Sequence, residues 1–257
     1  MRVSRKEIIG NAELWLGDCF EILPTLERPD AIVSDPPYGQ ALNPNVRGKS
    51  VTGGKVASGR PYAVLDKRRK VAGGFHSVGV ATQFPDTIHG DSPDAPFDVL
   101  ALLPYSDRVL LWGAHKFAHK LPQGRWLAWD KVPTGKVRDQ GDGEMAWTNV
   151  CPTAATRFFR LLWDGICVGS PARHEVTAGQ SRVHPTQKPQ ALMAWCLQFV
   201  EAPDGGIILD PCMGAGSTGL AALDAGYRFI GIEIEPFYFD IACRRIEDAQ
   251  RQQRILP

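Results

Sequence analysis

Ile207-Ile208-Leu209-Asp210-Pro211-Cys212-Met213-Gly214-Ala215-Gly216-Ser217-Thr218-Gly219 reads as an apolar strand, a glycine turn and the start of a helix. Its glycines stand as Gly-x-Gly-x-x-Gly, and an acid, Glu233, follows nineteen residues after the first of them. Such glycines let backbone approach a nucleotide-like ligand closely, and a carboxylate at the end of the next strand can accept from both ribose hydroxyls. Up to this point a nicotinamide dinucleotide and S-adenosylmethionine fit equally well. Asp210 separates them: a pyrophosphate against the helix N-terminus would be repelled by an acid just before the turn, whereas the ammonium of a methionine moiety would be attracted.

Downstream of the turn, Gly216 to Ala225 predicts a helix, Phe229 to Ile234 a strand, and Pro236 to Arg251 a closing amphipathic helix. Only 24 residues follow Glu233, too few to finish a doubly wound sheet, so the missing strands are expected from the N-terminal part. That part offers Leu14-Trp15-Leu16, ending at Gly17-Asp18, and Ala31-Ile32-Val33-Ser34, ending at Asp35-Pro36-Pro37-Tyr38, with a short helix from Cys19 to Leu26 between them. Further along, a helix is predicted near Asp94 to Leu103, a strand over Arg108 to Gly113, and later strands over Trp126 to Lys131 and Arg157 to Trp163. These last two carry an antiparallel portion, with turn-like Pro133 to Gly143 between them. Pro189 opens a helix running to Glu201, followed by the strand Gly206 to Leu209. The class is α/β. With the first and last of these strands side by side, Asp18, Asp35, Asp210 and Glu233 all stand at strand ends, where open parallel sheets bind ligands.

Composition agrees with an ordinary globular chain: 257 residues, 44% hydrophobic and 22% charged. No apolar run approaches the ~20 residues of a membrane span, and no signal core follows Met1 to Lys6, so a cytoplasmic setting without membrane attachment is expected. Six scattered cysteines without a Cys-x-x-Cys pair read as free thiols, and His115 and His119, four apart, lack the glutamate of a metalloprotease motif. No metal is expected. Net charge is only +1, yet from Asn43 to His76 eight basic residues face a single acid, Asp66. The stretch from residue 39 to 90 reads as a basic, glycine-rich insertion in a single domain spanning 1–257.

Asp35-Pro36-Pro37-Tyr38 suits one kind of chemistry. An exocyclic amino group is a poor nucleophile because its lone pair is delocalised into the ring, and it must be drawn toward tetrahedral geometry by acceptors that engage its hydrogens. A carboxylate, Asp35, and the Pro36 carbonyl, held rigid because Pro37 follows, meet that need. Tyr38 offers an aromatic face on which a base turned out of the double helix can stack.

Together with the glycine turn, these residues resemble the DNA amino-methyltransferases, in the beta group, where the catalytic motif precedes the cofactor motif. His184-Pro185-Thr186-Gln187-Lys188-Pro189 is similar to that group's signature upstream of the cofactor strand, and Gly231-Ile232-Glu233-Ile234-Glu235-Pro236-x-Tyr238 to its ribose-binding segment. Gly17-Asp18-Cys19 matches the element whose acid approaches the cofactor's adenine. The resemblance spans residues 14–38 and 184–246, with weaker similarity around Trp112-Gly113 and Trp129-Asp130-Lys131. It implies a circularly permuted, Rossmann-like methyltransferase fold with a mostly parallel seven-stranded sheet and an antiparallel edge hairpin. It further implies S-adenosylmethionine as cofactor, held by Asp18, Cys19, Asp35, Thr186, Lys188, Pro189, Asp210, Pro211, Met213, Gly214, Gly216, Ser217, Thr218, Glu233 and Ile234. Asp35, Pro36, Pro37 and Tyr38 become the catalytic residues, acting on double-stranded DNA.

The initial Asp of the tetrapeptide leans toward adenine-N6, since Ser there is commoner in cytosine-N4 enzymes of the group. Arg47, Lys49, Lys55 and Arg60 in the insertion are candidate phosphate contacts, and Arg138 belongs to residues 131–183, the candidate target-recognition region. Three other readings stay open: cytosine-N4 methylation, a nicotinamide-dependent oxidoreductase, and a catalytically idle DNA-binding module. Without a nuclease-like second domain, the enzyme would act alone or beside a separately encoded restriction nuclease, in a bacterial or phage-infected cell; whether it pairs as a homodimer the sequence leaves open.

Overall fold

The computed structural model describes residues 5–39, 89–132, 141–161 and 186–255. Arg47, Lys49, Lys55, Arg60 and Arg138, the expected DNA contacts, lie outside the described residues. Strands run in chain order as β1 (Arg5–Ile9), β2 (Ala12–Leu16), β3 (Ala31–Ser34), β4 (Asp91–Ser92), β5 (Ala95–Pro96), β6 (Val109–Trp112), β7 (Arg125–Asp130), β8 (Gly143–Thr148), β9 (Arg157–Arg160), β10 (Ile207–Asp210) and β11 (Arg228–Glu233). The helices are α1 (Cys19–Ile22), α2 (Gln190–Leu197), α3 (Ser217–Asp224) and α4 (Pro236–Ile255).

Nine strands form one sheet in the order β1-β2-β11-β10-β3-β6-β8-β7-β9, while β4 and β5 pair only with each other. At its centre β2, β11, β10, β3 and β6 are parallel neighbours. The seam between the two ends of the chain is the β2–β11 pair, in register from Phe229 opposite Ala12 to Glu233 opposite Leu16. The first and last strands of the sequence reading therefore do lie side by side.

β3, β6 and β10 are buried along their whole length, as strands covered on both faces must be. Successive residues feed two cores: Val33, Leu110 and Ile208 point to one, and Ile32, Leu111 and Leu209 to the other. α2, α3 and α4 cover the first through Met193, Leu220, Phe239 and Ile246. α1 and the turns around Val99 to Phe117 cover the second.

Three expectations need correction. The sheet has nine strands rather than seven, because β1 and β8 were not recognised. β1 is charged and half-exposed at an edge, so it lacks an apolar signature; β8 follows Gly141, opens on Gly143 and contains no β-branched residue before Thr148, so it reads as turn. The reversed hairpin β7–β8 is not an edge, since β9 lies outside it, parallel to β7; the antiparallel edge is β1 against β2. Finally, the helix expected near Asp94 to Leu103 is the β4–β5 ribbon followed by a 3-10 helix, Val99–Tyr105. Asp98 caps its start and Pro104 lies inside it, where a regular helix would lose a hydrogen bond. Of the stretch 131–183, residues 143–148 and 157–160 are sheet strands.

Candidate active site

A cavity of about 390 Å³ opens beyond the carboxyl ends of β2, β3, β10 and β11. Asp18, Cys19, Asp35, Pro36, Pro37 and Tyr38 from the first half of the chain line it. From the second half come Thr186, Lys188, Asp210, Pro211, Met213, Gly214, Ser217, Thr218, Glu233 and Ile234. Two expected cofactor residues do not. Pro189 is the residue before α2, where its carbonyl receives the Leu192 and Met193 N–H groups. Gly216 turns the chain into α3 at φ +76°, and a Cβ there would meet the Ala242 Cβ at 3.2 Å. Both shape the wall from behind.

The glycine turn is held from the next strand. Gly214 N–H donates to Glu233 Oε2 at 2.9 Å, Glu235 N–H donates to Oε1 at 2.9 Å, and Met213 N–H donates to the Ile232 carbonyl at 2.9 Å. Each Glu233 oxygen keeps acceptor capacity toward the cavity. Burial pushes this carboxyl up to about 7, against the pull of those N–H groups.

Asp210 is more enclosed than the sequence implied. Its Oδ1 accepts from Ser34 Oγ at 2.7 Å and Cys212 N–H at 3.1 Å, and its Oδ2 from Thr218 Oγ1 at 2.6 Å. It ties β10 to β3 and to the first turn of α3 while still facing the cavity. Burial raises its carboxyl, and its hydroxyl donors oppose the rise. Asp18 likewise has a local task, accepting from Phe20 N–H at 2.8 Å to cap α1. Next to it, Phe20 and Phe97 approach with ring centroids 4.9 Å apart and give the cavity an aromatic corner.

Asp35 stands at the head of a buried chain of charges. Tyr38 Oη donates to its Oδ1 and Lys188 Nζ to its Oδ2. Lys188 also lies 3.1 Å from Glu144 Oε2 on β8, and Glu144 Oε1 receives Lys131, just past β7. Burial pushes Asp35 up to about 6, with Lys188 opposing and Glu144 adding to the rise. Burial would raise Glu144 too, but Lys188 and Lys131 together outweigh it and hold it at about 2. Lys188, only 7% exposed, is desolvated, yet its two carboxylates keep it protonated above the ordinary lysine range.

Tyr38 is seated by features the sequence only hinted at. Its ring lies on Gly113, where a Cβ would fall 1.9 Å from a ring carbon, and its N–H donates to Asp91 Oδ1 at 3.2 Å. Glu144, Lys131, Phe97 and Asp91 were all missed as functional residues. Lys131 had a faint signal in Trp129-Asp130-Lys131; Glu144 had none, because a lone acid in a turn-like stretch says nothing about burial.

Among the described residues, seven acidic side chains line the cavity against one lysine, Lys188, which is itself paired. A pyrophosphate would meet repulsion there, and a ligand carrying sulfonium and ammonium charges would be attracted. Glu233 for a ribose, the aromatic corner for an adenine and the acidic wall for a cationic tail together fit S-adenosylmethionine. No group of acids, histidines and cysteines suited to a metal occurs among the described residues. Their five cysteines are free, and none of their helices is long and apolar enough to cross a membrane.

Residues 116–244, half of the chain, match a family model described as DNA methylase. Type II methyltransferase M2.DpnII of Streptococcus pneumoniae is 45% identical over 64 residues, 25% of this chain and 24% of that protein. DNA adenine methyltransferase YhdJ of Escherichia coli (strain K12) is 44% identical over 66 residues, 26% of this chain and 22% of that one. The chain thus spans about a quarter of the length of the curated relatives it matches. Among solved structures, the M1.HpyAVI–SAM complex superposes with a TM-score of 0.52 at 20% identity, covering 91% of this chain and 99% of the other. The PvuII DNA methyltransferase (cytosine-N4-specific) gives 0.54 at 11% identity, covering 98% and 96%. At such identities the likeness is one of fold, the methyltransferase α/β fold in its permuted order.

Proposed function

The chain belongs to the DNA methylase family, and from that premise we propose that it methylates the exocyclic amino group of a base in double-stranded DNA, adenine-N6 first. The observation that carries this reading is the meeting of Asp35-Pro36-Pro37-Tyr38 with the glycine turn and Glu233 in one acidic cavity, although they lie some 175 residues apart in sequence. When bound, S-adenosylmethionine supplies an electrophilic methyl group and leaves as S-adenosylhomocysteine.

The chain's own residues do the rest. Glu233 and the turn hold the nucleoside part, and the acidic wall favours the cationic end. Asp35 and the Pro36 carbonyl accept hydrogen bonds from the amino group, directing its lone pair at the methyl carbon. As the new nitrogen–carbon bond forms and the sulfur–carbon bond breaks, the nitrogen sheds one proton, through Asp35, to solvent. Tyr38 gives the extruded base a surface, so its hydroxyl must release Asp35 when a base enters. Acting on DNA, the enzyme would work in the cytoplasm of a bacterial or phage-infected cell.

Incubation with DNA and methyl-labelled cofactor, followed by nucleoside mass spectrometry, tests the reading. N6-methyladenine is the expected product; N4-methylcytosine would transfer the reading to the other amino base, and an absence of any methylated base would end it. Asp35→Asn is expected to lower kcat about 10²–10³-fold while S-adenosylhomocysteine still binds.

A further inference from the structure

The methyl-transfer reading uses Asp35 but leaves the three charges behind it without a task. Lys188 sits between two carboxylates, Asp35 on the cavity side and Glu144 on the strand side, and Glu144 sits between Lys188 and Lys131. From the cavity inward the order is acid, base, acid, base. The four come from separate parts of the fold: the loop after β3, the segment before α2, strand β8, and the residue following β7. Lys188 is 7% exposed, Lys131 18% and Glu144 22%. Their charges are therefore poorly screened and feel one another strongly.

We propose that Glu144 and Lys131 are positioning residues that ration the charge of Lys188 between Asp35 and Glu144, and so set how strongly Asp35 accepts from the target amino group. An ammonium shared by two acids attracts each less than one aimed at a single acid. Glu144 draws Lys188 away from Asp35 and leaves Asp35 a better acceptor. Lys131 in turn satisfies part of Glu144 and limits that draw. This device rests on the proposed methyl transfer only for its purpose; the charge chain itself does not.

The groups facing Asp35 are Tyr38 on its own loop, Lys188, Glu144 on β8 and Asp210 on β10. Those facing Glu144 are Lys188, Lys131 and, from the turn after β6, His115. Opposite signs follow for the two inner residues. Glu144→Gln removes a negative neighbour and gives Lys188 wholly to Asp35, so Asp35 should ionise at lower pH. Lys131→Met leaves Glu144 with Lys188 alone, pulls Lys188 inward, and should make Asp35 ionise at higher pH. A structural role for either residue would not produce shifts of opposite sign.

Two measurements on the full chain test this. Carbon-13 NMR of aspartate carboxyls follows Asp35 directly, its signal identified by its absence in Asp35→Asn. The pH dependence of kcat/KM for DNA at saturating cofactor follows it through the acidic limb. In the wild type, burial holds the Asp35 carboxyl above the ordinary carboxylate range, with Lys188 opposing. A downward shift of roughly half to one unit is expected for Glu144→Gln and an upward one of similar size for Lys131→Met, with KM for the cofactor little changed. Glu144→Asp, which restores the charge, should return the value toward wild type. Unmoved values, or shifts of the same sign in both variants, would overturn the proposal, and if one variant does not fold, the sign in the other decides. Opposite NMR shifts in a protein that methylates no DNA would uphold the charge chain and refute the methyl-transfer reading instead.

Discussion

Glu233 carries two conflicting demands on one carboxylate. On the proposed reading it must be charged to accept ribose hydroxyls well, yet burial pushes its ionisation up to about 7. Burial raises its folded-state value above the usual 4.5, so the folded protein binds a proton that the unfolded chain has already lost. Its contribution to stability is therefore complete below about pH 4.5 and is lost as pH rises through 7. Cofactor binding should run the other way, since it favours the ionised form. Calorimetric titration with S-adenosylhomocysteine is expected to show tighter binding at pH 8 than at pH 6, and Glu233→Gln should bind weakly with that pH dependence gone. A wild-type affinity that does not change across this range would mean Glu233 does not contact the ligand. The identity and placement of this acid were legible in its spacing from the glycines; its raised pKa was not, because burial depends on neighbours from other parts of the chain.

At the level of elements, α3 shows why the third glycine of the turn is needed. Gly219 faces the sheet, and a Cβ there would lie 2.6 Å from Phe229 Cε1 and 3.1 Å from Ile246 Cδ1. Phe229 is 1% exposed and has no room to give. Alanine gains about 1 kcal/mol over glycine inside a helix, but overpacking a closed core costs typically 1–3 kcal/mol. Gly219→Ala should accordingly unfold at lower urea than wild type, with α3 lifted from β11 and cofactor affinity reduced. A variant more stable than the wild type would show that the helix shifts freely on the sheet. The Gly-x-Gly-x-x-Gly pattern announced a close helix, and the structure identifies what it is close to. By contrast β8 gave no such announcement, since its pairing with β6 and β7 supplies the order that its own composition lacks.

Over the whole molecule, the decisive property is that acids from both halves of the chain converge beyond the carboxyl ends of β2, β3, β10 and β11. Among the described residues that is seven carboxylates to one paired lysine, a field that on the proposed reading selects ligands by charge. S-adenosylmethionine, with its sulfonium, should bind more tightly than neutral-sulfur S-adenosylhomocysteine, by ~1 kcal/mol or roughly fivefold, and the gap should narrow as salt is raised. Reduced nicotinamide dinucleotide should give no thermal stabilisation; stabilisation by it and none by S-adenosylhomocysteine would favour an oxidoreductase. Local sequence settled a good deal of this. Chain-neighbour chemistry is enough to specify a glycine turn, a proline-fixed loop and apolar strands ending in acids, and the resemblance carried by those pieces implied a permuted sheet. Tertiary structure alone decided the nine-strand count, the enclosure of Asp210 by Ser34 and Thr218, and the partnership of Asp35 with Lys188, Glu144 and Lys131. Those depend on which groups become neighbours once water is excluded, and the strength of a charge in a dry site is set in part by residues far along the chain, 153 positions for Lys188 and Asp35 and 176 for Ser34 and Asp210.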